Sequence, residues 1–319
     1  MALREIILNN PIMMSIGFVL GLALGGFPIF NSELITLALV VMMSLSLCGM
    51  SFKGLEVREH FSTTSLALLL TFGLGTGSTI LIAFLFEDPI RSGWIIEAVV
   101  PSAVCVIPFT FLLRGNVENS LVSSAIIYIV SIGVTPLLMI AILGMELNPL
   151  SLVSSVLIMI FLPIIISRGV KKVTMSADTR VAIINLSLLV VCFAVVGANR
   201  EFFFRDPYLI VVLLAAATAR IFIPGLAVYW IAKKSRFDRK QGVNMVLFTT
   251  YKNTGMAAAL AATLIGTGAA LPAAISTPIE IIWLVIMSKF MFTEKYFEGK
   301  GAGILSRLRS SKEKITEAR

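Results

Sequence analysis

Residues Val243–Leu264 read VNMVLFTTYKNTGMAAALAATL, a stretch long enough to cross a bilayer and carrying one charge, Lys252. A lysine at that depth costs about 2.5 kcal/mol or more on insertion scales, so it faces protein or water and serves a purpose. The alternative is a lysine near a helix end that snorkels to the interface. Its neighbours Thr250, Asn253, Thr254 and Gly255 are polar or small and hold a membrane helix poorly. The pattern predicts a helix that opens at mid-membrane to form a site, as in secondary transporters.

Hydrophobic residues make up 57% of the chain and charged residues 14%, with a mean hydropathy of +0.95. Soluble domains carry about 25% charged residues, so this composition is that of a polytopic membrane protein. The opening MALREIILNN leads into a full-length apolar stretch with no small-residue cleavage site, which predicts no cleaved signal. Cys48, Cys105 and Cys192 all lie in apolar segments and read as small hydrophobes. A single histidine, His60, cannot build a zinc site or a His-based triad by itself, and no metal or cofactor is expected.

A hydropathy window predicts ten spans, near 11–30, 33–51, 61–85, 93–113, 117–142, 149–167, 180–198, 207–232, 243–264 and 270–292. With that alternation, 20 of the 26 Lys and Arg residues fall on the side of the N-terminus and three on the other. The bias predicts that both termini are cytoplasmic and that the protein sits in the cytoplasmic (inner) membrane. The net charge of +8 then reflects topology and lipid attraction rather than nucleic-acid binding. The basic tail 295–319 reads as an interfacial helix or a disordered segment.

Ten spans divide into two five-span halves, 1–146 and 147–294, and a second odd-numbered copy must be inverted. Spans four and nine hold matching places. Span four carries Pro101 and Pro108, which remove backbone donors, and span nine carries the Lys252 interruption. Interrupted spans at corresponding positions point to a site at the repeat interface. Ser120, Ser123 and Ser124 share a helix face that would line a cavity or serve packing. Thr71, Thr76 and Ser78, among Gly73, Gly75 and Gly77, read as a close-packing segment. Arg220 lies well inside its span and is expected to face the interior, and a Glu280–Lys252 contact is conceivable.

Leu112-Leu113-Arg114-Gly115-Asn116-Val117, followed by a serine-bearing span with Thr135-Pro136-Leu137-Leu138, resembles the fourth and fifth helices of the bile acid:sodium symporter family. Asn253–Ala261 resembles that family's ninth helix, where Gln-Asn-Ser-Gly precedes an Ala/Leu-rich run. The opening third, Pro11–Phe30 and then Val41–Leu47, fits as well. The resemblance implies an all-α membrane fold of ten helices in two inverted repeats, with broken helices four and nine crossing. It implies a panel domain of spans one, two, six and seven, and a core domain of spans three to five and eight to ten. Auxin-efflux-type carriers share that architecture. The family's sodium-site Glu falls here at Phe248, its Ser-Asn pair at Val106 and Ile107, and its Gln at Lys252. Ser120 and Ser124 alone keep side-chain oxygens. Sodium needs several hard oxygen ligands, so functional sodium sites are not expected.

The expectation is therefore a secondary transporter of small organic anions, with carboxylates as the substrate class, working by alternating access. Lys252 would stand in for sodium, link transport to protons, or pair with substrate. Asn253, Thr254 and Thr250 would serve the substrate; Pro101, Pro108 and Gly255 would hold the breaks; Ser120 and Ser124 would line the cavity. Expected partners are the anion, H+ and the lipid bilayer, with no oligomer required. A sodium symporter with rebuilt sites, and a channel or sensor, are the alternatives. An intramembrane enzyme would need paired aspartates, a histidine pair or a Gly-x-Ser-x-Gly site, and the sequence holds none of these at a span.

Overall fold

The computed structural model describes residues 3–48, 60–144, 161–235 and 237–292, with the isolated positions 154 and 158. The basic tail and most of expected span six lie outside the described residues. After a short helical turn at Leu3–Ile7 come helices α1 (Asn10–Leu24) and α2 (Asn31–Leu47), then α3 (Phe61–Ala83), α4 (Ile90–Val99), α5 (Val106–Leu112) and α6 (Val117–Leu143). They are followed by α7 (Leu162–Val170), α8 (Ala177–Ala198), α9 (Pro207–Lys234), α10 (Arg239–Thr250), α11 (Thr254–Leu264) and α12 (Leu271–Ile286). No strand is present among the described residues.

Local sequence sets several of these ends. The side chains of Asn9, Asn116, Ser176 and Asp206 accept from Ile12, Asn119, Thr179 and Leu209 main-chain N–H groups at 3.1, 3.1, 3.0 and 2.9 Å. Each such cap satisfies an orphan donor and contributes about 1 kcal/mol. Pro11 and Pro207 follow two of the caps, where a missing N–H is harmless.

Five helices are long and apolar enough to cross a membrane: Phe61–Ala83, Val117–Leu143, Ala177–Ala198, Pro207–Lys234 and Thr267–Met291. Helices α1 and α2 are shorter, and expected spans four and nine are each split in two. Helix α8 packs on α1 and α2, and α7 on α2. Helices α9 and α10 pack with α3 and with each other, α12 packs on α9, and α4 packs on α3, α6, α11 and α12, with α11 also against α12.

The split of span four follows from Pro101. A proline disfavours helical geometry at the residue before it, and Val100 is extended, with φ −67° and ψ 154°. Pro108 has a different place from the one expected. It lies in the first turn of α5, where proline costs little, rather than at a break. The split of span nine has no proline. Tyr251 is extended (φ −95°, ψ 107°), and the Asn253 side chain caps α11 by accepting from Met256 N at 3.0 Å. Asn253 thus offers the backbone an alternative to continuing the helix.

Close approach is needed where α4 meets the turn Thr267–Ala270. A Cβ on Gly93 would stand 2.1 Å from the Ala269 carbonyl oxygen, whereas one on Gly133 in α6 meets nothing within 4 Å. Alanine in place of glycine normally favours a helix by up to about 1 kcal/mol. Overpacking reverses that sign, at about 1–3 kcal/mol. Gly93→Ala is expected to lower the apparent Tm in detergent by several degrees, while Gly133→Ala leaves it unchanged or raises it. Parallel thermal scans of the two variants check the contrast.

Candidate functional site

The extended links between α4 and α5 and between α10 and α11 cross each other. Ser102 and Lys252 form an antiparallel bridge, with Ala103 N donating to Tyr251 O at 3.1 Å and Asn253 N donating to Pro101 O at 2.9 Å. Irregular backbone survives at membrane depth only where its polar groups are satisfied. Here four carbonyls at the end of α4 and in the link after it have side-chain donors. Thr76 Oγ1 donates to Ala98 O (2.7 Å), Thr135 Oγ1 to Val99 O (2.9 Å), Lys252 Nζ to Val100 O (3.2 Å) and Tyr128 OH to Ser102 O (3.1 Å). At the end of α10, Thr71 Oγ1 donates to Phe248 O (3.0 Å) and Arg220 to Thr250 O (3.4 Å).

Lys252 is 1% exposed. Its ammonium donates to Thr71 O (2.8 Å), Thr76 Oγ1 (3.0 Å) and Val100 O, and it lies 5.4 Å from the centre of the Phe72 ring. Two carbonyl oxygens and a hydroxyl therefore use all three N–H bonds. A π-helical segment within α3, Leu69–Gly75, loosens the main chain that supplies Thr71 O. Gly75 allows this approach, since a Cβ there would stand 2.7 Å from Thr249 O and 3.6 Å from Lys252 Cε. The glycine–threonine segment is therefore more than a packing surface.

A second cation lies beside the crossing. One terminal nitrogen of Arg220 in α9 is 3.0 Å from Glu97 Oε1 in α4 and 2.9 Å from Glu280 Oε1 in α12. All three residues are buried. Only the Glu280 contact is an aligned hydrogen bond; Glu97 is held by charge. Arg220 faces the interior, as its position in the sequence predicts. Glu280 pairs with Arg220 and not with the Lys252 ammonium. Glu97 was missed in the sequence reading, although a carboxylate inside IIEAVVP carries the same signal that singled out Lys252.

A cavity of about 580 Å³ opens beside the crossing. Met14, Met42 and Ile184 face it from α1, α2 and α8, while Ile107, Pro108 and Thr254 face it from the broken helices. Gly255 and Glu280 also line it, and Arg180 stands among its lining residues. Thr254 and Gly255 thus occupy the expected position, with the Thr254 and Thr277 hydroxyls 3.3 Å apart. Asn253 also faces the cavity, but its side chain is engaged: Oδ1 caps α11, and Nδ2 donates to Tyr128 OH at 3.1 Å. Thr250 is buried and accepts from Trp283 Nε1 at 3.2 Å. Ser120, whose hydroxyl lies 3.0 Å from Thr110 Oγ1, and Ser124 are both buried and are not among the residues that line the cavity. Phe248 and Val106 are also buried in apolar packing, and Ile107 reaches the cavity.

The family model for the SBF-like CPA transporter family matches residues 25–292, most of the chain. The chain belongs to the SBF-like CPA transporter family. No curated protein matches it. As an SBF-like protein, with helices of membrane-spanning length and apolarity, it is an integral membrane transporter of the bile acid:sodium symporter-like type. Among the described residues, no group of His, Cys, Asp and Glu side chains is placed to hold a metal ion.

Removing one partner of a buried ion pair costs about 3–5 kcal/mol, because the other charge is left uncompensated. Arg220→Met is expected to lower the apparent Tm steeply. Neutralising both carboxylates in the same background (Glu97→Gln with Glu280→Gln) recovers most of that loss. Thermal unfolding of the single and triple variants measures the recovery.

Proposed function

We propose that this chain is a sodium-independent secondary transporter of small organic anions, carboxylates above all, working by alternating access. The observation that carries the reading is the cavity at the crossing of the two broken helices. Its volume falls in the range of about 300–1,000 Å³ that suits small-molecule sites. Its lining is mainly apolar, with the start of α11 at Thr254 and Gly255, an end that favours negative charge. Arg180 adds a cation whose side chain has no hydrogen bond or ion pair among the described residues. An apolar body with one carboxylate matches those features.

Sodium independence is supported by the Lys252 cage. Two carbonyls and a hydroxyl are the hard oxygens a sodium ion would take, and the ammonium occupies them. The same geometry turns the ammonium away from the substrate and gives each of its protons an acceptor. This favours the fixed-cation role for Lys252 over direct substrate pairing or proton transfer.

The wider architecture belongs to this proposal. Ten spans in two inverted repeats, 1–146 and 147–294, would place the breaks in symmetry-related positions. The grouping of α1, α2, α7 and α8 supports a panel that moves against the remaining helices. With both termini cytoplasmic, as the loop charges favour, the Arg180 end of the cavity faces the cytoplasm of an inner-membrane protein.

A ligand at about 100 times its Kd stabilises the folded state by about 2.7 kcal/mol. Among straight-chain monocarboxylates from acetate to decanoate, at least one is expected to raise the Tm of purified protein. Exchanging sodium for potassium at equal ionic strength changes nothing. Ser46→Trp, which fills the cavity from α2, abolishes the ligand shift while the ligand-free Tm stays close to wild type. Stabilisation by sodium would instead favour a symporter with rebuilt ion sites. No shift with any carboxylate, together with no uptake into proteoliposomes, would sink the anion reading.

A further inference from the structure

We propose that Glu280 is the proton-binding site of this transporter, taking up one proton from the cavity for each anion bound; the inference rests on the transport reading above. Three observations carry it. First, Glu97 and Glu280 approach the same terminal nitrogen of Arg220, at 3.0 and 2.9 Å. One guanidinium thus serves two carboxylates. Second, the other cation of the cluster, Lys252, spends its three N–H bonds on Thr71 O, Thr76 Oγ1 and Val100 O rather than on a carboxylate. Third, Glu280 is the one carboxylate of the cluster among the residues that line the cavity. Glu97 and Arg220 are absent from its lining, and Lys252, which also lines it, has its ammonium bonded to three oxygens. A proton arriving through cavity water therefore reaches Glu280 first.

The groups facing Glu280 come from each neighbouring element. Helix α9 supplies Arg220, α4 supplies Glu97, the α4–α5 link supplies Cys105, and the α10–α11 link supplies Tyr251 and Lys252. The Tyr251 hydroxyl donates to the Glu280 main-chain oxygen at 2.8 Å. Helices α1 and α11 and the Thr267–Ala270 turn carry no ionisable side chain. From α8, Cys192 lies near the α12 face, and Arg180 stands at the cavity. The π-turn after α12 carries only Lys289, which is exposed.

The charge balance gives the proton a function. With both carboxylates ionised, Glu97, Glu280, Arg220 and Lys252 sum to zero. A proton that leaves hydronium in the cavity and bonds to a Glu280 oxygen ends the charge-assisted bond to Arg220, which keeps Glu97. The cluster is then +1, and a monoanion in the cavity restores neutrality. Release on the other side reverses both steps, so one proton and one anion cross together without net charge movement.

Two measurements test this. In proteoliposomes, decanoate uptake is read with and without an inward proton gradient, and the ratio is compared between wild type and Glu280→Gln. The gradient should stimulate wild type several-fold and bring the ratio in Glu280→Gln to about one. A wild-type ratio in the variant overturns the proposal. The second measurement needs no variant and no substrate. Dicyclohexylcarbodiimide, an apolar reagent that adds to protonated carboxyl groups, is applied to wild type across pH, and the adducts are mapped by peptide mass. Labelling of Glu280 that grows as pH falls, with Glu97 spared, is the expected result. Labelling of Glu97 instead, labelling independent of pH, or no adduct at Glu280 overturns the proposal. Glu280 labelling in a protein that carries no anion would leave the proton site standing and remove the anion transport reading.

Discussion

The structure depends on satisfying the backbone where two helices stop halfway. A broken helix exposes carbonyls at one end and amides at the next start, and the lipid core offers no water to meet them. Each unsatisfied group would cost several kcal/mol. The two links meet part of this need by pairing with each other through Ser102 and Lys252. The rest falls to side chains. Thr71 and Thr76 in α3, Tyr128 and Thr135 in α6, and Arg220 in α9 all donate to carbonyls at the two breaks. That requirement gathers polar residues from separate helices around one point, and the cavity lies beside it.

The same requirement explains where the cations stand. A helix C-terminus carries a partial negative charge, and each break creates one deep in the protein. Lys252 takes the end of α4 through Val100 O, and Arg220 takes the end of α10 through Thr250 O. Glu97 and Glu280 then balance cations that the breaks have recruited. Buried ion pairs are poor evidence for stability, since desolvation offsets much of their attraction. Here the charges follow from the broken helices, and the broken helices follow from having a site.

Much of this was legible in the sequence because the cost of polarity in lipid makes such residues rare. Lys252, Arg220 and Pro101 stand out against apolar neighbours, and each lies at or beside the crossing. Glu97 carries the same signal, but Pro101 and Pro108 mark its segment first as a broken backbone. Thr71 and Thr76 read as packing residues in the sequence, since threonine in a membrane helix usually bonds its own preceding turn, as Thr110 and Thr249 do here. Nothing local distinguishes a threonine that turns to another helix. The serine face of α6 illustrates the converse. Shared helical phase placed Ser120, Ser123 and Ser124 together correctly, but phase does not say whether a face meets a cavity or a neighbour. Thr64 lies 3.2 Å from Ser123, and Thr110 bonds Ser120.

Replacing a bound ion by a tethered ammonium changes what the site is able to do. A sodium ion among carbonyls arrives from one side and leaves to the other, so its gradient contributes to transport. The Lys252 ammonium holds comparable oxygens but stays attached to the chain through every conformation. It supplies the charge that keeps the broken helices together and contributes no gradient energy. On the proposed sodium-independent reading, the fold keeps its crossing without an ion supply, and any driving force would enter through a group that exchanges with water in the cavity. Within the buried cluster, the geometry that immobilises Lys252 would leave that exchange to Glu280, and on the proposed reading coupling and substrate binding would share one wall.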